Sequence, residues 1–217
     1  MVSTKNAAHN SNIRIMKPII IVPYRNREEH LNLFLSHYYF IDNRIPICVV
    51  EQSGSELFNR GKLLNIGYLE NHKYTHYIFH DVDMLPIQAH YLHTNHHWQV
   101  LQLASSDIQV FDYLGGVTRF TKTAFQSAGG YRNDYNHRAE DNEMRFNLKR
   151  LGINVINKFG KFETLEHERN GAEFDPFLWL KAQQKRAKQD QLSICQYKVI
   201  QTKEIDNVRH IIVDLNL

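Results

Sequence analysis

Apolar runs alternate with amphipathic stretches over the first eighty positions. Pro18-Ile19-Ile20-Ile21-Val22-Pro23 is continuous and β-branched, which predicts a strand buried on both faces, as in a parallel sheet. A polar turn, Arg25-Asn26-Arg27, leads into Glu28-Glu29-His30-Leu31-Asn32-Leu33-Phe34-Leu35, whose two acids sit where a helix dipole favours them. The pattern repeats. Ile45-Pro46-Ile47-Cys48-Val49-Val50 predicts a second buried strand, residues 58–70 a helix with Leu63, Leu64, Ile66 and Gly67 at helical spacing, and residues 74–79 a third strand. Three such alternations predict an α/β layered sheet with right-handed crossovers.

The second half is less regular. Gly115-Gly116-Val117 opens another strand, residues 122–128 read as a helix, and Gly129-Gly130 punctuates it. Glu140-Asp141-Asn142-Glu143 starts a helix running to about Leu151, with Met144, Leu148 and Leu151 on one stripe. Residues 153–157 and 162–165 predict short strands, 174–189 a helix with a solvated basic face, and 196–201 with 210–215 a terminal hairpin. Residues 1–16 read as a disordered or partly ordered segment, and 17–217 as one domain without repeats.

Composition narrows the class. The 217 residues, 42% hydrophobic and 23% charged, suit a globular chain with a sizeable core and exclude collagen, coiled coil and wholesale disorder. A net charge of +3 is compatible with an anionic substrate and too small to argue for nucleic acid. The two cysteines, Cys48 and Cys195, lack metal or redox spacing, so reduced thiols are expected. Neither a signal-peptide core nor a transmembrane run is present, and the expected setting is the cytoplasm.

Candidate chemistry gathers at Thr75-His76-Tyr77-Ile78-Phe79-His80-Asp81-Val82-Asp83-Met84-Leu85-Pro86. Read as a strand, the run ends with Asp81 and Asp83 on one face while Val82 turns into the core. Two carboxylates beyond the carboxyl end of a central strand suit a hard divalent cation carrying a phosphorylated ligand, although such a pair also caps ordinary turns. Pro23-Tyr24-Arg25-Asn26-Arg27 and Phe58-Asn59-Arg60 add three guanidiniums and two aromatics near the same edge. Arginine forks bind phosphate oxygens, and an aromatic ring can lie against a flat base. Residues 90–97 hold His90, His93, His96 and His97, read as a polar loop rather than a second metal site.

These motifs resemble, in order and over nearly the whole chain from Ile19 to Leu215, the β-1,4-galactosyltransferase family. The likeness runs through the Pro23 to Leu31 segment, Phe58-Asn59-Arg60-Gly61-Lys62-Leu63-Leu64-Asn65-Ile66-Gly67, Asp81-Val82-Asp83, Tyr113-Leu114-Gly115-Gly116-Val117, Glu140-Asp141-Asn142-Glu143 and Gln196-Tyr197-Lys198-Val199. The family is a metal-dependent inverting group with the GT-A type of nucleotide-sugar fold, a Rossmann-like mixed sheet flanked by helices. The resemblance implies transfer of galactose from UDP-galactose to a hydroxyl of an acceptor glycan, with a β linkage and Mn²⁺ or another divalent metal. Alternatives on the same fold are N-acetylgalactosamine transfer, or a sugar-nucleotide or glycan-binding module without catalysis.

Carried over by position, the resemblance implies donor contacts from Pro23, Tyr24, Arg25, Arg27, Phe58, Arg60, Asp81, Val82, Asp83, Tyr113, Gly115 and Gly116. Asp83 and His167 would ligate metal, with Thr164 at the position of the family's methionine ligand. Asp141, ionised at neutral pH, would be the base, with Glu140 and His137 beside it in the acceptor site. His137 stands where the family has a mobile tryptophan, and Arg138-Ala139 replace two glycines. The absence of the family's disulfide cysteines implies a bacterial or viral protein that never meets an oxidising lumen. Tyr113 matches an aromatic that excludes the bulkier N-acetylated donor. Tyr113→Leu is therefore expected to admit UDP-N-acetylgalactosamine as a competitor of UDP-galactose; an unchanged donor preference in competition assays would remove Tyr113 from donor selection.

Overall fold

The computed structural model describes residues 16–41, 44–92, 98–105, 114–134, 139–166 and 190–216. The expectations for residues 1–15, for the helix at 174–189, and for Tyr113, His137 and His167 lie outside them. The run of β-branched residues forms β1 (Pro18–Tyr24), six of whose seven residues are buried. It is the spine of an eight-stranded sheet. β2 (Ile47–Gln52) lies parallel on one side, with Ile21 opposite Cys48, and β3 (His76–His80) lies parallel on the other, with Ile20 opposite Ile78.

The helices between them take opposite faces. α1 (Glu28–Ile41) packs Leu31 and Phe34 with Ile20, Val22 and Val49, whereas α2 (Arg60–Leu69) packs Leu63, Leu64 and Ile66 with Ile21, Cys48 and Val50. Alternate residues of β1 thus feed two cores, as side chains of a strand must. Because the chain steps from β1 to β2 on one side and returns to β3 on the other, a crevice opens beyond the carboxyl ends of β1 and β3.

After β3 come β4 (Met84–Gln88), β5 (Val100–Ala104), β6 (Val117–Thr121), α3 (Lys122–Ala128), α4 (Glu140–Arg150), β7 (Val155–Asn157), β8 (Lys161–Thr164), β9 (Lys198–Ile205) and β10 (Val208–Asp214). The main sheet runs β7-β5-β6-β3-β1-β2-β10-β9, and β4 pairs with β8 in a separate ribbon. β6 is antiparallel to both β3 and β5. The terminal hairpin is present, and its second strand enters the sheet parallel to β2.

Two strands escaped the sequence reading. β4 contains Pro86, which argues against a central strand but is tolerated in a two-stranded ribbon, where one edge needs no donor. β5 is buried at all five positions and shows no alternation to betray it. The two cysteines are free, as expected.

The approach of α2 to β1 depends on Gly67, where an added Cβ would lie 2.3 Å from Ile21 Cγ2. Gly67→Ala is expected to cost about 1–3 kcal/mol of stability by overpacking, measured by urea denaturation; an unchanged midpoint would show that the interface yields freely.

Candidate active site

Three connections meet at the crevice. Tyr24 ends β1 with its ring edge-on to His210 (5.9 Å between centroids), and its hydroxyl accepts the Arg27 N–H at 3.3 Å. Asn26 adopts a left-handed backbone (φ 50°), which turns the chain sharply between the two arginines. Arg25 lies over the Phe58 ring, 5.5 Å from its centroid, and its guanidinium donates to the Glu56 carbonyl. Arg27 Nη1 stands 3.7 Å from Asp83 Oδ2. Pro23 is a buried strand residue opposite Val50.

The Asp-Val-Asp segment is a turn, not the end of a strand. β3 stops at His80, and the Asp81 carbonyl accepts the Met84 N–H at 3.1 Å, closing a four-residue turn. Strand alternation therefore does not govern this segment. Val82 is buried on the α1 side, as expected, but Asp81 and Asp83 pair with different arginines. Asp81 is clasped by Gly116: its N–H donates to the Gly116 carbonyl at 3.0 Å, and its Oδ2 accepts the Gly116 N–H at 3.1 Å. Gly116 has φ 84°, and a Cβ there would meet the Ala104 carbonyl oxygen at 2.7 Å, so only glycine fits. The Gly115 carbonyl, next to it, accepts from Gln102 Nε2 at 3.5 Å.

Arg60 begins α2, just after Asn59, whose side chain caps the helix by accepting the Lys62 N–H at 3.0 Å. Its Nε donates to Asp81 Oδ1 at 2.7 Å and its Nη1 to Glu140 Oε1 at 3.2 Å. The guanidinium therefore bridges the turn after β3 and the first residue of α4. Burial alone would lower the Arg60 pKa, but Asp81 and Glu140 outweigh it and keep the group charged. The resemblance implied an arginine offered to the diphosphate; here two of its three nitrogens already bind carboxylates. The sequence gives no sign of that bridge, because its partners lie 21 and 80 residues away.

Glu140 and Asp141 occupy the first turn of α4 and are 6% and 5% exposed. Both Glu140 oxygens are engaged, one by Arg60 and one by the Ala139 N–H at 3.2 Å. Asp141 Oδ1 accepts the Asn142 N–H at 2.7 Å. Burial raises the Asp141 carboxyl to about 7, with Glu140 adding to the shift and Arg60 opposing it. It is therefore only partly ionised at neutral pH, where the sequence led us to expect full ionisation.

Thr164 is placed close to the turn. It pairs with Met84 across the β4–β8 ribbon, its hydroxyl donates to Met84 Sδ at 3.4 Å, and the next residue, Leu165, donates its N–H to the Asp83 carbonyl at 2.8 Å. Among the described residues no cluster of three or more His, Cys, Asp or Glu is arranged as a complete metal site. Asp83, with a side chain 15% exposed, and the Thr164 hydroxyl are oxygen donors of the kind hard divalent cations take. By donor chemistry alone they suit such a cation.

An α/β sheet with this strand order, carrying arginines, an acidic turn and a buried carboxylate at its crevice, is the fold of GT-A nucleotide-sugar transferases. It superimposes on the catalytic domain of Drosophila β1,4-galactosyltransferase 7, solved in complex with xylobiose, with a TM-score of 0.81, 24% identity and coverage of 94% of this chain and 95% of that one. A mutant of that enzyme, solved with manganese, UDP-Gal and xylobiose, matches with a TM-score of 0.79 at 22% identity, covering 94% of this chain and 95% of its own.

Residues 8–95 match the model for the N-terminal region of glycosyl transferase group 7. The chain is 30% identical to β-1,4-galactosyltransferase 4 of Cricetulus griseus over 92% of its length and 64% of that protein's. It is 31% identical to β-1,4-galactosyltransferase 1 of Bos taurus over 71% of its length and 42% of that protein's. The chain is thus similar in sequence to β-1,4-galactosyltransferases over most of its length, and it shares their fold. It spans less than two thirds of the length of these curated relatives.

The relatives correct the expected setting. They are animal proteins, from Cricetulus griseus, Bos taurus and Homo sapiens, and point away from a cytoplasmic bacterial or viral protein. The missing disulfide cysteines had suggested otherwise, but free thiols record neither compartment nor source. No helix among the described residues is long and apolar enough to cross a membrane.

The raised Asp141 pKa has a consequence for stability. An unfolded aspartate titrates near ~3.9, so the native state holds the proton more tightly, and this favourable contribution is lost as pH rises through about 7. Asp141→Asn is expected to be more stable than the parent at pH 8, with the advantage shrinking toward pH 5 in urea melts. Parallel pH dependences for the two proteins would contradict the burial of this carboxyl.

Proposed function

We propose that the chain is an inverting glycosyltransferase that moves galactose from UDP-galactose to a sugar hydroxyl, forming a β linkage with Mn²⁺ as cofactor, and that residues 17–217 act as one catalytic domain. The observation that carries the reading is the Arg60 bridge, which ties the acidic turn after β3 to the buried carboxylates of α4. A donor-binding turn and a proton acceptor are thereby held on one rigid link.

In this reading Arg25 and Phe58 flank the uracil and Arg27 faces the diphosphate, while Asp81, fixed by Gly116 and Arg60, contacts the donor. The contact of Arg25 with the Phe58 ring supports this, because it brings a cation and an aromatic face to the same point of the crevice. Asp83 and Thr164 would hold the metal, with His167 further along the chain. The bound cation would neutralise charge developing on the departing UDP. Asp141 accepts the proton of the attacking hydroxyl, Glu140 steadies the acceptor, and Tyr113 and His137 border donor and acceptor respectively. One displacement at the anomeric carbon inverts its configuration, so no covalent enzyme intermediate forms.

A base titrating near 7 sets the direction of the pH profile: kcat/KM rises with pH up to about 7 and levels above it. UDP release from UDP-galactose with Mn²⁺ tests the reading across an acceptor panel that includes xylobiose, the ligand of the Drosophila enzyme. Asp141→Asn is expected to lower turnover by roughly 10²–10⁴-fold and to abolish the pH dependence. Tight UDP binding by the parent with no turnover on any acceptor would sink catalysis in favour of a binding module, and preferred use of UDP-N-acetylgalactosamine would displace galactose as donor.

A further inference from the structure

The 81–83 turn rests on buried polar groups from three parts of the chain. His80, at the end of β3, is fully buried, with its ring 4.8 Å from Phe34 of α1 and 5.9 Å from Phe162 of β8. Its Nδ1 lies 2.9 Å from the Asp81 carbonyl oxygen and its Nε2 3.0 Å from the Tyr91 hydroxyl. A carbonyl can only accept, so Nδ1 carries the proton. Burial lowers the ring's pKa to about 4, which keeps it neutral and leaves Nε2 to accept from Tyr91. Tyr91 is itself held: its carbonyl accepts from Arg119 Nη1 at 3.2 Å, and its ring stands edge-on to Phe162 at 6.1 Å. Tyr91 and Arg119 are 2% and 1% exposed.

Aliphatic residues at 80, 91 and 119 could fill this volume without the cost of burying a guanidinium, an imidazole and a phenol. What the polar chain adds is direction. The Asp81 carbonyl receives two donors, the Met84 N–H that closes the turn and the His80 Nδ1–H that pins it from below. The Tyr91 hydroxyl donates to the other ring nitrogen and so holds the imidazole in the orientation that aims Nδ1–H at this carbonyl. Phe162, against which both rings pack, lies two residues before Thr164 on β8.

We infer that Tyr91 is a positioning residue for the donor and metal turn, acting through the orientation of the His80 ring and anchored by Arg119. The inference rests on the reading of Asp83 as a metal ligand. It extends the site to residues that touch neither sugar nor cation.

The test uses the full chain, Tyr91→Phe, His80→Asn and the double variant. Tyr91→Phe keeps the ring on Phe162, and His80→Asn keeps an N–H donor. ¹⁵N NMR should show His80 as the single Nδ1–H tautomer, with the Nε2 resonance shifted downfield in Tyr91→Phe by the loss of its donor. Mn²⁺ affinity in the presence of UDP, read from free Mn²⁺ by electron paramagnetic resonance, should fall about three- to tenfold in Tyr91→Phe. On the His80→Asn background the same substitution should change it no further, because the effect passes through the imidazole. An Nε2–H tautomer in the parent, unchanged Mn²⁺ affinity in Tyr91→Phe, or a full effect on the His80→Asn background each overturns the inference alone. A parent that binds no Mn²⁺ with UDP overturns the functional reading and this inference with it.

Discussion

The site depends on one guanidinium. Arg60 gathers Asp81 and Glu140 with a third carboxyl, Asp141, close behind, and all lie where water has little access. Without the cation these acids would repel one another in a medium that screens them poorly. With it, the turn after β3 and the start of α4 become one body. The planar fork matters as much as the charge, since Nε and Nη1 reach two acids from different elements at once. The same cation also restrains the Asp141 pKa, which burial and Glu140 would otherwise push further.

That arrangement is possible because of how the sheet is wound. β1 sits between β2 and β3, so the connections after all three strands converge, while α1 and α2 seal opposite faces. The helix carrying Arg60 must come very close to its neighbours. Gly61, next in the chain, leaves room for the Arg132 carbonyl, which a Cβ would meet at 2.8 Å, and for Glu140, whose Cβ would stand 3.3 Å away. Sites of this kind are built from backbone proximity before any side chain is chosen.

Much of the framework was legible in the chain. The buried run at 18–23, the acids opening α1 and the Met144 and Leu148 face of α4 each have a local cause, so local patterns revealed them; Leu151, expected on the same stripe, caps the helix and is exposed. Ribbon β4–β8 and strand β5 were missed because their stability is tertiary: Pro86 argues against a strand, and five buried residues in a row carry no period. In the site, residue types at each loop could be read, but their pairings could not. Asp81 and Asp83 looked like twins on one strand face; the turn gave one to Arg60 and Gly116 and the other to Arg27. His80 gave no signal beyond its place before the acidic pair.

The C-terminal hairpin carries a consequence in time. β2 is flanked by β1 and β10, and the contact of Glu51 with His210 spans 159 residues of chain. At a synthesis rate of roughly 5–20 residues per second, β2 waits on the order of ten seconds or more for its second neighbour. Through that interval a strand of sequence Ile-Cys-Val-Val-Glu-Gln shows an open edge of the kind that pairs readily with foreign strands. A nascent chain of this protein is thus most vulnerable to mispairing after its N-terminal half has been made and before its last hairpin arrives, which makes the final strand a guardian of the first ones.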